Sequence, residues 1–134
     1  MLLKKLNEEQ KKYFWDLANF IIHSDGKLAD KEVQMLEEYS EEMNYFGEIE
    51  VITSEKANSI LDEIVKIDKK IAKIIYVELM ALAYADGDFA KEEQEFLRSY
   101  REKIGIKIES SKKLEDNFKI LNSVYEEIAK FIQD

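Results

Sequence analysis

The sequence predicts an all-α domain: a single helical bundle of about six to seven helices, in two related halves around a central apolar helix. Three observations carry this. Apolar residues recur at three- and four-residue spacing through most of the chain. There is no proline, and each of the four glycines (Gly26, Gly47, Gly87, Gly105) follows a helix-period segment, as a helix stop does. Residues 71–85 are apolar on nearly every side, the pattern of a helix covered by its neighbours.

Taken in order, the first helix starts after Asn7, with Gln10 three residues on as its capping-box partner. Phe14, Leu17, Ala18, Ile21 and Ile22 form its buried stripe, and Asp25-Gly26 ends it. Tyr13 and Trp15 lie off that stripe and are candidates for an exposed patch. The second helix runs from about residue 30 to 45, with Val33, Leu36, Tyr39, Met43 and Phe46 inward. Residues 48–52 are extended in pattern but too short to imply a sheet. Thr53 or Ser54 caps a third helix that turns Ala57, Ile60, Leu61 and Ile64 inward. Asp68 caps the apolar fourth. After Asp86-Gly87 a fifth runs from about 91 to 104, with Phe96, Leu97 and Tyr100 inward. The tail restarts near Ser110 or Ser111 and places Leu114, Phe118, Leu121, Tyr125, Ile128 and Ile132 on one inward stripe, with a candidate break near Asn122.

The chain also repeats itself. Moving it by 61 positions lays Asp25, Gly26, Ala29, Glu32, Leu36 and Tyr39 on Asp86, Gly87, Ala90, Glu93, Leu97 and Tyr100. Moving it by 57 lays Ser54, Lys56 and the IAKII of 71–75 on Ser111, Lys113 and the IAKFI of 128–132. One domain, 1–134, with halves of roughly 7–66 and 68–134, accounts for both.

Bulk chemistry excludes several classes. With 134 residues, 46% hydrophobic and 37% charged, the chain suits one globular domain. It contains no apolar stretch of the ~20 residues that cross a bilayer and no secretory h-region at its start, so a cytoplasmic protein without a transmembrane segment is expected. The absence of cysteine removes disulfides, thiolate chemistry and the usual structural zinc sites. A net charge of −9 argues against nucleic acid and allows a basic partner or divalent cations. Charge is polarised: residues 33–54 hold six glutamates and no basic residue, whereas residues 98–113 hold six basic residues against Glu102 and Glu109.

The two Asp-Gly junctions admit two readings. In one, Asp25 and Asp86 accept N–H groups of the following turn, and Glu32 and Glu93 sit in the first turns of their helices, favoured by the macrodipole. In the other, Asp86, Asp88, Glu92 and Glu93 crowd four carboxylates into eight residues and suit a hard cation such as Ca²⁺ or Mg²⁺. An EF-hand does not fit, because Lys91 stands where that loop needs glycine and Leu97 where it needs glutamate. His23 and Ser24 are sequence neighbours and do not face each other as a base and nucleophile would; His23 aligns with Tyr84, a half-buried packing position. A metal-dependent hydrolase using the clustered carboxylates ranks last.

At these junctions the chain resembles the TerB-like family, which includes tellurite-resistance proteins and the N-terminal module of certain membrane co-chaperones. The matching residues are Ala85-Asp86-Gly87-Asp88-Phe89-Ala90-Lys91-Glu92-Glu93 and, with Ser for the leading Ala, Ser24-Asp25-Gly26-Lys27-Leu28-Ala29-Asp30-Lys31-Glu32. The resemblance implies a non-catalytic helical module acting in stress-response assemblies, often near membranes, with a protein partner. It also implies divalent-metal ligands at Asp25, Glu32, Asp86 and Glu93. Ala29 and Ala90 depart from the Ser or Thr frequent in the family. The alternative function is a small helical structural or accessory protein whose junctions are only caps.

Overall fold

A computed structural model describes residues 2–24, 30–85 and 91–134. Among them are a short 3-10 turn, Leu3–Lys5, and six helices: α1 Glu8–His23, α2 Asp30–Met43, α3 Ser54–Ile64, α4 Lys69–Ala83, α5 Lys91–Ile104 and α6 Ile108–Gln133. No strand occurs among the described residues, so 48–52 is an irregular connection.

The helix starts follow from side-chain chemistry. Asn7 and Gln10 form a reciprocal capping box on α1, each side chain accepting the other's backbone N–H. Thr53 accepts from Lys56 N–H at α3, and Asp68 from Lys70 N–H at α4. The helix ends bring one correction. Gly105 has φ +79° and closes α5 with a Schellman pair, Ile106 N–H to Arg101 C=O and Gly105 N–H to Glu102 C=O. Its counterpart 61 positions earlier is Asn44, φ +51°, which closes α2 through Tyr45 N–H to Ser40 C=O and Asn44 N–H to Glu41 C=O. The stop expected at Gly47 therefore lies at Asn44, a residue that tolerates the left-handed region because its short amide bonds locally.

Gly47 is needed for space. A Cβ there would stand 2.3 Å from Trp15 Nε1, and the indole N–H donates to Glu48 C=O at 2.9 Å. Asn19, fully buried, holds the same connection: its Oδ1 accepts from Glu50 N–H, and its Nδ2 donates to Trp15 C=O. Trp15 is consequently buried at 4% exposure and Tyr13 half-buried, so the exposed patch expected there does not form. Phe46, expected inward, is instead 73% exposed, because the chain has left α2 and its periodicity before reaching it.

The core lies between α1 and α4, which form the most extensive helix pair. Residues 14–22 of α1 are all buried, so α4 shares its central place with α1, its counterpart in the repeat. Phe14 packs edge-on to Tyr39, and Tyr76 lies against Tyr100. Fully burying an aliphatic or aromatic side chain contributes roughly 1.5–3 kcal/mol, so this two-helix centre carries much of the stability. Polar pins cross it: Tyr100 Oη donates to Ala72 C=O at 2.6 Å, and Glu78 accepts Leu2 N–H at 3.0 Å.

The last helix departs furthest from expectation. It starts at Ile108 after an N-cap, Lys107, whose side chain makes no capping bond, and runs unbroken through Asn122 to Gln133. Its stripe is inward only at its start, where Leu114 and Phe118 pack on the body and Ser111 is buried against Tyr76 Oη. Leu121, Tyr125, Ile128 and Ile132, all expected inward, are exposed.

Candidate functional site

Three of the six predicted ligands, Asp25, Asp86 and Asp88, lie outside the described residues. The other three divide. Glu92 is exposed in the first turn of α5. Glu32 and Glu93, the repeat counterparts, are both buried at 2% in the first turns of α2 and α5, where the helix N-terminus favours a carboxylate. Ser24, the last described residue before the first junction, places its hydroxyl 3.0 Å from Glu93 Oε1 and 2.8 Å from Ile21 C=O. That hydroxyl has one proton and two acceptors within reach, so the end of α1 lies against the start of α5. Among the described residues, no three His, Asp or Glu side chains converge as a metal site requires. His23 is half-buried and sets Nδ1 2.8 Å from Asn19 C=O, a packing role.

A different feature stands out from the structure. The distal half of α6 exposes Ile120, Leu121, Val124 and Tyr125, followed by Ile128, Phe131 and Ile132, with Phe131 at 83% and Ile132 at 75%. The helix is anchored through residues 111–122: Ser111 Oγ meets Tyr76 Oη, Leu114 packs on the body, Phe118 stacks on Tyr84 (6.4 Å), and Asn122 Nδ2 donates to Tyr84 C=O at 3.1 Å. Sequence reading found this stripe but placed it in the core, because periodicity shows that a face is apolar without showing what covers it. A usable signal was present. Tyr125 stands where the repeat has the capping Asp68, so nothing ends the helix there.

Open grooves flank the anchored half of α6. One, about 370 Å³, runs between α4, α5 and α6 past Tyr84, Leu97, Arg98, Arg101 and Lys112. The other, about 490 Å³, is walled by Lys69, Lys73, Val77, Ile106, Lys107 and Leu114, with no acidic side chain in its lining. The acidic stretch faces solvent elsewhere: Glu37, Glu38, Glu41, Glu48 and Glu50 are exposed, while Glu42 accepts Leu3 N–H at 2.7 Å.

Burial raises the pKa of several tyrosines. Desolvation pushes Tyr39 and Tyr100 strongly upward, and Tyr76 and Tyr84 upward as well. The Tyr13 hydroxyl, hydrogen-bonded to Glu9, is pushed up to about 12, first by that bond. None of these phenols is poised as a base near neutral pH; all stay protonated donors.

No family model matches the chain, and no curated protein or solved structure does either. Among the described residues, no helix is long and apolar enough to cross a membrane.

Proposed function

We propose that this chain is a non-catalytic protein-interaction module and that α6 is its docking element. The observation that carries this is the run of seven exposed large apolar side chains on the distal half of α6. Ordinary monomers rarely leave such a face bare, and an amphipathic helix laid into a groove is a recurrent mode of recognition. The direct test compares proteins retained from a lysate of the source cell by wild-type protein and by Phe131→Glu/Ile132→Glu. The reading expects at least one retained species, a second copy of the chain included, to be lost with the double substitution; identical retention contradicts it.

The TerB-like resemblance at the junctions supports the same class of activity, a scaffold in a stress-response assembly, and adds a modulating cation. The resemblance carries that addition on Glu32 and Glu93, which stand at corresponding helix starts. Calorimetric titration with Ca²⁺ and Mg²⁺ tests it: saturable heat lost in Glu93→Gln supports cation modulation. An absence of heat in wild type leaves the alternative, in which the junctions serve as helix caps.

A further inference from the structure

The distal half of α6 has a counterpart inside the same chain, and that counterpart is buried. The 57-residue repeat lays α3 on residues 111–121 and the start of α4 on residues 126–133. The agreement holds in space only at the start of the first part: buried Ala57 and Leu61 correspond to Leu114 and Phe118, which pack on the body, whereas fully buried Ile64 corresponds to Leu121, 43% exposed. It fails for the second. Ile75 is fully buried, whereas its counterpart Ile132 is 75% exposed. The two halves diverge at the connection between these segments. Residues 65–68 turn and re-cap the chain with Asp68; residues 122–125, Asn-Ser-Val-Tyr, continue as straight helix.

The repeat also indicates where the distal segment belongs. α4 is the counterpart of α1, and α4 itself packs on α1. By the same relation the distal α6 segment packs on α4. There, Ile74, Val77 and Ala81 form a half-exposed stripe at 3-4 spacing, beside the groove walled by Lys69, Lys73 and Lys107 and short of Tyr84, which the chain's own Phe118 covers. Its own α6 cannot fill that place. Leu114 already lines the groove, and 18 further residues of straight helix carry Ile132 roughly 27 Å beyond it.

We propose that the occupant is a second copy of this chain: two molecules exchange their distal α6 segments, each laid along the other's α4. This inference rests on reading α6 as a docking element and names its partner. Three features support it. Exchange of an element across a straightened connection is a low-cost, self-closing route to a symmetric dimer. The charges match, because the distal segment carries Glu126, Glu127 and Asp134 against Lys130, and the groove rim is lysine. The area suffices: seven side chains of this size at 43–83% exposure present on the order of 800 Å², which is more than an ordinary monomer's largest apolar patch and about one partner's share of a stable interface. An anionic membrane is disfavoured as the occupant, since interfacial helices carry Lys and Arg on the polar face and this one is mainly acidic there.

The test uses full-length protein, whose lack of cysteine permits site-specific cross-linking. Light scattering after size exclusion is expected to give twice 15.8 kDa for wild type, and the single mass, with helicity retained, for Phe131→Glu/Ile132→Glu. Val77→Cys protein mixed with Ile128→Cys protein is expected to yield a dimer under a short bismaleimide. Lys69→Glu/Lys73→Glu is expected to raise the dimer dissociation constant about tenfold or more, given the small contribution of each exposed pair, and Glu126→Lys/Glu127→Lys in the same chain is expected to restore it. A monomeric wild type overturns the exchange. So does a dimer that survives Phe131→Glu/Ile132→Glu or does not cross-link between 77 and 128, or a monomer that binds anionic vesicles through α6. If both cysteines in one chain cross-link within a monomer, α6 closes as a hairpin and the exchange is again overturned. A monomer that still loses a lysate partner on Phe131→Glu/Ile132→Glu separates failure of the exchange from failure of the interaction reading.

Discussion

Replacing Gly47 by alanine adds one carbon where the fold leaves no room for it. The new Cβ would lie 2.3 Å from Trp15 Nε1, 2.6 Å from Cδ1 and 3.0 Å from Cε2, all inside van der Waals contact. The obstacle is a rigid ring, 4% exposed, edge-on to Tyr45 and tied to Glu48 C=O, so it cannot swing aside as the tip of a flexible side chain would. Overpacking of this kind costs about 1–3 kcal/mol. If the indole is pushed off Glu48, a buried donor left without its acceptor adds about 1–3 kcal/mol. The expected loss is therefore about 2–6 kcal/mol. At roughly 3–4 °C per kcal/mol for a domain of this size, the midpoint should fall by roughly 6–24 °C. Thermal unfolding followed by circular dichroism measures this. Trp15 is the chain's sole tryptophan, so native-state emission reports the same event locally and should shift to the red. A midpoint within about 2 °C of wild type, with unshifted emission, would refute the claim that Gly47 is a spacer for the indole.

Other consequences are smaller. Asn7→Ala removes one arm of the α1 capping box and should cost about 1 kcal/mol in urea unfolding, whereas Gln10→Glu should be nearly neutral. Gly105→Ala should cost about 1–2 kcal/mol because its φ is left-handed, while Asn44→Gly at the corresponding turn should be neutral or slightly stabilising. Tyr100→Phe should cost about 1–2 kcal/mol by removing the donor to Ala72 C=O. Tyr39 and Tyr100 have raised folded-state pKa values, so the unfolded chain releases their protons first. The stability they contribute is complete below about pH 10 and is lost as pH climbs through and above that value, at about 1.4 kcal/mol per pH unit for each. Tyr13, Tyr76 and Tyr84 add to the same fall, so urea titrations from pH 8 to 11 should show a plateau followed by a decline that is shallower, but not abolished, in Tyr100→Phe.

The fold was largely legible because its signals are local. Asn7 with Gln10, Thr53 and Asp68 mark helix starts by side-chain chemistry that needs no tertiary partner, and the structure places a helix after each. What was misread depends on neighbours. Trp15 and Phe46 exchanged places between surface and core because an indole buries only where a glycine leaves room and a carbonyl waits for its N–H. The Gly47 stop was misplaced because Asn44 can adopt the same left-handed turn. The stripe of α6 was visible from Leu114 to Ile132, but periodicity cannot distinguish a face covered by its own chain from one left for another. At the acidic junctions, the sequence indicated the corresponding positions of Glu32 and Glu93. Their depth of burial and the reach of Ser24 to Glu93 became visible only once α1 and α5 were packed together.

The central claim is that the distal half of α6 is a docked element whose partner is a second copy. Amide hydrogen exchange of residues 119–133, followed over a dilution series, tests it most directly. Docking between copies predicts slow exchange comparable to α4 at high concentration, turning fast on dilution while α4 remains protected. Fast exchange of these residues at every concentration would contradict the account, and so would slow exchange independent of concentration.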